Sequence, residues 1–314
     1  MSNKYNNSKL TFYANGILRE CIPGAYYRNQ LAKKLQKADD YDASYITQRV
    51  NYYLKHENVF DVGSKAVRAN DLSYKHKSAY YFDLREYLHY FPEHLKFAYR
   101  FGDKTHIEAN PTIVKARPIA GENANSVLIN LDKCRHFNFI TDPYSFTEKK
   151  DILVWRGGVY RQHRKDFIQA FYNHPMCDVG QTNKPVEDVP WQKGYMGIEE
   201  QLQHKFILCV EGNDVATNLK WAMSSNSLCM MNKPKFETWF MEGTLKAGVH
   251  YVELADDYSD LEEKLQYYAE HTDEALKIID NAHKYVAQFQ DKEREDLIAL
   301  LVLKKYFELS QQSI

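Results

Sequence analysis

Two stretches of the chain place cations and pliable backbone where an apolar run gives way to a helical pattern. In the first, Asp151-Ile152-Leu153-Val154-Trp155 passes through Arg156-Gly157-Gly158 into Arg161, His163, Arg164 and Lys165. A strand, a glycine turn and a helix start gather backbone N–H groups and guanidinium at one spot, which suits a diphosphate. In the second, Phe206-Ile207-Leu208-Cys209-Val210 leads through Glu211-Gly212-Asn213-Asp214 to Asn218, Leu219 and Lys220. Its geometry suits a nucleotide in the same way. Neither stretch has the dinucleotide fingerprint or the phosphate-loop pattern, so a plain βα turn explains each one equally well. A third candidate is Asp103, next to Gly102 at the end of the alternating run Leu95-Lys96-Phe97-Ala98-Tyr99-Arg100-Phe101. It falls just beyond a strand end, where α/β sheets keep their chemistry.

Other signals carry two readings. Lys115 and Arg117 suit an anionic acceptor such as a phosphorylated sugar, or a solvated face. Asp40-Tyr41-Asp42 matches a short D-x-D metal-binding pattern, but it directly precedes a helical stretch, where aspartates cap and complement the dipole. The twelve histidines show no metal-ligand spacing, and the five cysteines (Cys21, Cys134, Cys177, Cys209, Cys229) are scattered and mostly in apolar segments. Reduced core thiols and no metal are the expectation.

The elements that must hold these groups follow from periodicity. Residues 29–35 read as a short helix, and Asp42 or Ser44 as the cap of another with Ile46, Val50, Tyr53 and Leu54 on one face. Two such helices also fit a helix-turn-helix, which gives a nucleic-acid module as an alternative reading. A helix over 85–91, a strand over 95–101 and a strand over 127–131 follow. From Asp151 strand and helix alternate: strands at 151–155, 176–179, 205–210, 227–231 and 250–254, with helices at 164–172, 198–203, around Leu219-Lys220-Trp221, and over 236–241. Such order requires a mostly parallel sheet covered on both faces, because each parallel neighbour is reached by a crossover. The tail is helical, with Ala275, Ile279, Ala282, Val286 and Phe289 in one stripe and a second helix through Leu297-Ile298-Ala299-Leu300-Leu301.

The 314 residues leave room for two domains, and 41 basic against 42 acidic residues exclude a bulk polyanion binder, so nucleic acid is not an expected partner. The 24 tyrosines suit half-buried, wet surfaces, sugar sites included, though helix-face packing explains most of them. Met1-Ser2-Asn3-Lys4-Tyr5-Asn6-Asn7 lacks the apolar run of a signal peptide, and no segment has the length of a membrane span. A cytoplasmic protein is expected.

The run Lys205-Phe206-Ile207-Leu208-Cys209-Val210-Glu211-Gly212-Asn213-Asp214, with Asn218-Leu219-Lys220-Trp221, Phe236-Glu237-Thr238-Trp239-Phe240 and Val249-His250-Tyr251-Val252, resembles glycosyltransferase family 90. Phe101-Gly102-Asp103, Pro111-Thr112-Ile113-Val114-Lys115-Ala116-Arg117-Pro118-Ile119 and Trp155-Arg156-Gly157 extend the resemblance over roughly residues 80–290, closest to the bacterial lipopolysaccharide core branch. That resemblance implies an α/β GT-B architecture of two Rossmann-like lobes with a cleft between them. Residues 1–150 would form an acceptor-side lobe carrying the base, 151–290 a nucleotide-sugar-binding lobe, and 291–314 a C-terminal helix. It implies an inverting, metal-independent transfer of glucose or galactose from a UDP-sugar to a lipopolysaccharide or lipooligosaccharide core, with no cofactor. Asp103 stands where the family carries its base. Arg164 is the first candidate for the diphosphate and Lys220 the second, with Arg156, Gly157, Gly212, Asp214 and Asn218 around them and Glu237 and Trp239 toward the nucleoside or sugar. Eukaryotic members carry an arginine where Asn218 stands, a departure that leaves the second cation open. A lipid-linked acceptor implies peripheral contact at the inner membrane face. A catalytically silent nucleotide-sugar or glycan-binding protein of the same fold is the alternative.

Overall fold

A helical N-terminal third leads into short strands, and the whole is a mixed α/β chain with parallel sheets. The structure is a computed structural model that describes residues 8–73, 78–185 and 187–314; Met1 to Asn7, and with them the leader expectation, lie outside the described residues. Along the chain come α1 (Lys9–Glu20), α2 (Gly24–Arg28), α3 (Leu31–Gln36), α4 (Ala43–Tyr53), β1 (Val67–Arg68), α5 (Ser78–Leu88), β2 (Lys96–Arg100), β3 (Thr112–Val114), β4 (Arg117–Pro118), β5 (Ser126–Leu128) and α6 (Lys133–His136). They continue with β6 (Lys150–Gly157), α7 (Gln162–Phe171), β7 (Cys177–Gln181), α8 (Ile198–Gln201), β8 (His204–Leu208), α9 (Leu219–Met223), β9 (Leu228–Asn232), β10 (Phe236–Glu237), β11 (Val252–Leu254), α10 (Leu261–Glu270), α11 (Thr272–Ala287) and α12 (Lys292–Leu309).

These elements gather into two compact units. One takes in Phe137–Pro234 and Thr244–Gln288; the other takes in Asn7–His136, Lys235–Gly243 and Phe289–Ile314. The first is built on a five-stranded, wholly parallel sheet in the order β11-β9-β8-β6-β7. The centres of β6, β8 and β9 are apolar runs, and every residue of β8 is buried, as expected of a sheet covered on both faces. Phe146, Leu153, Trp155, Phe167, Phe206, Leu208 and Met230 form the core, with Leu261 and Leu265 of α10 and Ile278 and Ile279 of α11 packed against them.

The second unit holds a four-stranded sheet in the order β1-β2-β3-β5, of which β2, β3 and β5 run parallel and β1 antiparallel. Asp42 caps α4 by accepting from the Tyr45 amide at 2.8 Å, so one carboxylate of the D-x-D stretch serves the helix dipole. Ile46, Arg49, Val50 and Tyr53 are the buried face of α4. Two expectations change here. The helix expected at 85–91 is α5, which begins earlier and ends at Leu88. The helix expected over 236–241 is absent: Phe236 and Glu237 instead form a strand antiparallel to β4. Tertiary packing overrides the helical spacing, because Trp239 is fully buried, stacks on Tyr53 at 3.8 Å between ring centres and donates its Nε1–H to Glu295 at 2.6 Å.

Candidate functional site

In the five-stranded sheet the chain begins at β6, moves to β7 on one side and then to β8 on the other. The crossovers therefore diverge beyond the carboxyl ends of β6 and β8, the crevice where open α/β sheets bind their ligands. Both segments singled out for phosphate chemistry open there. Arg156 and Gly157 are the last residues of β6, and Glu211, Gly212, Asn213 and Asp214 follow β8.

Arg164, in the first turn of α7, joins the two. Its guanidinium donates to the carbonyls of Gly158 at 2.9 Å, Val210 at 2.7 Å and Glu211 at 2.8 Å, and lies 5.7 Å from the centre of the Trp155 ring. The Arg164 guanidinium lies against Gly212, whose absent Cβ would stand 3.4 Å from Nη2. Arg161 donates to Asn213 at 2.5 Å, and the His163 ring meets the Glu211 carbonyl at 2.9 Å. No side chain caps the N-terminus of α7, so its first amides point outward beside these cations. The result is a cationic, amide-rich rim of the kind that binds an anion.

The remaining residues expected around a donor take inner positions. Arg156 turns toward β7, donating to Asp178 Oδ1 at 2.7 Å and to the Asp178 carbonyl at 2.7 Å. Burial lifts the Asp178 carboxyl, but Lys193 and Arg156 outweigh it and hold the group below the ordinary carboxylate range. Asn218 donates to the Leu208 carbonyl at 2.9 Å and closes the end of β8. Asp214 and Lys220 are buried, the Lys220 ammonium lying 5.6 Å from the centre of the Phe137 ring.

In the other unit, Asp103 lies just past the end of β2. Gly102 before it has φ +99°, a left-handed conformation that glycine enters without a Cβ clash, and this turns the chain out of the strand. Asp103 is 23% exposed at its side chain. Oδ1 accepts from Lys115 Nζ at 2.5 Å and from the Tyr80 hydroxyl at 3.1 Å, while Arg135 stands 3.9 Å from Oδ2. Burial pushes the carboxyl pKa up; Lys115 first, then Arg135 and Tyr80, overcome this and leave it below the ordinary value. Lys115 is 1% exposed and also meets His136 Nε2 at 3.4 Å. The group is an ionised carboxylate with one open side, able to accept a proton from a hydroxyl.

Arg117 and Glu237, expected separately at an acceptor and a donor, meet each other. They pair across β4 and β10 at 2.7 Å, both buried, and Arg117 also donates to the carbonyls of Tyr52 and Ser126 at 2.7 and 3.1 Å. Lys115 and Arg117 therefore belong to the interior and not to a solvated face. Tyr80 and Arg135 were not legible as neighbours of Asp103, which is 23 and 32 positions away from them in sequence; α5 and α6 bring them in.

Comparison with known proteins adds an independent line. The family model described as Glycosyl transferase family 90 matches residues 137–313. The chain is 42% identical over 304 residues to the O-glucosyltransferase LpsA of Dichelobacter nodosus, which covers 96% of both chains. Weaker likenesses are to Protein O-glucosyltransferase 3 of Homo sapiens, 26% identical over 52% of this chain and 33% of that one, and to Protein O-glucosyltransferase 2 of Danio rerio, 29% identical over 40% and 26%.

Proposed function

The chain belongs to glycosyltransferase family 90 and is a glycosyltransferase, and from that premise we propose that it moves glucose or galactose from a UDP-sugar to a lipopolysaccharide or lipooligosaccharide core, with inversion and without a metal. The observation that carries this reading is the Arg164-centred rim beyond β6 and β8, whose cations and amides suit a diphosphate. The two units have different work: the unit with the parallel five-stranded sheet holds the donor, and the other supplies the base and takes the acceptor. Each has a sheet with parallel strands of its own, five in one and three in the other, which is the support for a GT-B description.

In the proposed step the acceptor hydroxyl oxygen attacks the anomeric carbon while the bond from that carbon to the diphosphate oxygen breaks. The sugar changes hands, the electron pair leaves with UDP, and the hydroxyl proton passes to the Asp103 carboxylate. Lys115 keeps that carboxylate ionised, so it is ready when the attacked hydroxyl becomes acidic in the transition state. Arg164 and the α7 amides take up the charge growing on the leaving diphosphate, which is how such a step proceeds by charged side chains alone.

Among the described residues no helix is long and apolar enough to cross a membrane. The proposed place of work is the cytoplasm, with peripheral contact at the inner membrane face where a lipid-linked acceptor is found.

The Asp103→Asn protein tests the assignment. Transfer should fall by about 10² to 10⁴ while UDP binding, read by calorimetry, stays within a few-fold of the parent. Unchanged transfer removes Asp103 from the reaction. A parent protein that binds UDP but turns over no nucleotide sugar supports the silent binding protein instead, and transfer abolished by a chelator sinks the metal-independent step.

A further inference from the structure

Helix α1 has two apolar faces, and only one is covered. On the covered side Gly16 is buried so tightly against Phe82 of α5 that a Cβ would meet that ring at 2.6 Å. On the other side Leu10, Ala14, Ile17 and Leu18 recur at the spacing of one helix face, all exposed to solvent, and the exposed Cys21 and Ile22 follow the helix end. Leu10 is 82% exposed and Leu18 61%, and Tyr26 of α2 is 57% exposed. Five of the thirteen exposed large hydrophobic residues among those described lie between residues 10 and 26. Scattered exposed leucines are ordinary, but a contiguous apolar stripe marks an interaction surface.

Charge and size say what it meets. Residues 8–37 carry six cations (Lys9, Arg19, Arg28, Lys33, Lys34 and Lys37) against the single carboxylate of Glu20, a net +5 in a chain whose net charge is −1. Arg19, Arg28 and Lys37 pair with Glu86, Glu93 and Glu293, while Lys9 and Lys33 are exposed. Glu20 is held by Arg85 and His89. A stripe on a twelve-residue helix is about 18 Å long and about 10 Å wide, far short of the ~800 Å² per partner that a stable protein interface buries. The same stripe suffices for a helix that lies in the lipid headgroup boundary, its leucines toward the acyl chains, its lysines toward anionic phosphates, and a tyrosine at the edge.

We propose that the outer face of α1, with Tyr26 and the lysines of α3, docks this enzyme on a bilayer surface bearing anionic lipid. The inference deepens the membrane-side part of the proposed function and rests on it for its purpose, but not for its test, which reads vesicle binding alone; the Asp103→Asn experiment stands or falls separately. The full chain is mixed with vesicles of phosphatidylcholine alone or with added phosphatidylglycerol, and floated on a density gradient at low and high salt. The parent should float with the anionic vesicles, and less so in high salt. Leu10→Ser/Ile17→Ser/Leu18→Ser should lower vesicle affinity by about tenfold or more, with a far-UV spectrum like the parent's. Lys33→Glu/Lys34→Glu, which leaves the stripe intact, should lose the preference for anionic vesicles. A parent protein that floats with neither vesicle overturns the proposal, as does a triple-serine variant that floats unchanged. Sedimentation showing a parent dimer that the triple variant lacks assigns the stripe to a second copy and overturns it too.

Discussion

At the scale of the residue, the proposed chemistry turns on how one carboxylate is held. Asp103 is surrounded by Lys115, Tyr80 and Arg135, all of which favour its charged form, against a burial that does not. Lys115 provides the largest of these, from a position almost closed to solvent. Replacing it by methionine keeps the stem and the burial but removes the ammonium, so the carboxyl pKa should rise. A base that must be ionised sets the acid limb of kcat/KM, and in Lys115→Met that limb should move to higher pH, with Lys115→Arg moving it less. An acid limb that stays in place in a folded Lys115→Met protein means that the ammonium does not tune the base. Neither the contact nor its consequence was legible in the sequence. Lys115 and Arg117 stand two apart on one run and both looked able to reach an acceptor, but partners distant in sequence decide otherwise: Lys115 meets Asp103 and Arg117 meets Glu237, 120 positions away.

At the scale of the element, charges enclosed between helices make stability depend on pH and on packing. Asp83 of α5 is fully buried and accepts from the Lys133 amide at the start of α6 at 2.9 Å. Burial pushes its pKa up to about 7, with the Lys133 ammonium opposing. The folded chain therefore holds this proton longer than the unfolded chain does, and stability falls as pH rises from about 4, the unfolded value, toward 7. Asp83→Asn can still accept from the amide but cannot titrate, so its melting temperature relative to the parent should climb across that window; a constant difference contradicts the assignment. The strip 235–243 makes the packing case. Trp239 lies between Tyr53 of α4 and Glu295 of α12, and Glu295 also binds Arg49 at 2.7 Å. Trp239→Ala should cost about 3–5 kcal/mol through the cavity, read as a fall in the denaturation midpoint. Phe236, Trp239 and Phe240 are spaced like a helix face, and only partners 56 or more positions away decide that they are not one. The β/α order from residue 151 onward could be read because parallel strands buried on both faces are plain apolar runs. Helix α10, by contrast, went unread: only Leu261 and Leu265 are buried on it.

At the scale of the whole molecule, the described residues cross four times between the two units, and the last helix belongs to the unit in which those residues begin. Helix α12 buries Leu297, Ile298, Ala299, Leu300, Val302, Leu303, Tyr306 and Phe307 against elements that include α4 and α5. The Tyr306 hydroxyl donates to the Pro111 carbonyl at 2.7 Å and accepts from the Ala98 amide at 3.2 Å. Ala98 lies in β2, the strand that ends just before Asp103, and Pro111 leads into β3, the strand that precedes Lys115, so a C-terminal side chain fixes the two strands that bring base and ammonium together. Removing α12 would expose seven large apolar side chains and alanine, at about 1.5–3 kcal/mol for each large one, which exceeds or matches the 5–15 kcal/mol that holds a whole domain together. A chain ending at Gln288 should therefore fail to give a cooperative melt and should show no transfer, even though every residue assigned to donor or base is still present. If that shortened chain melted cooperatively near the parent's midpoint and kept its transfer activity, the unit carrying Asp103 would not depend on the C-terminal helix, and the packing assigned to α12 would be wrong.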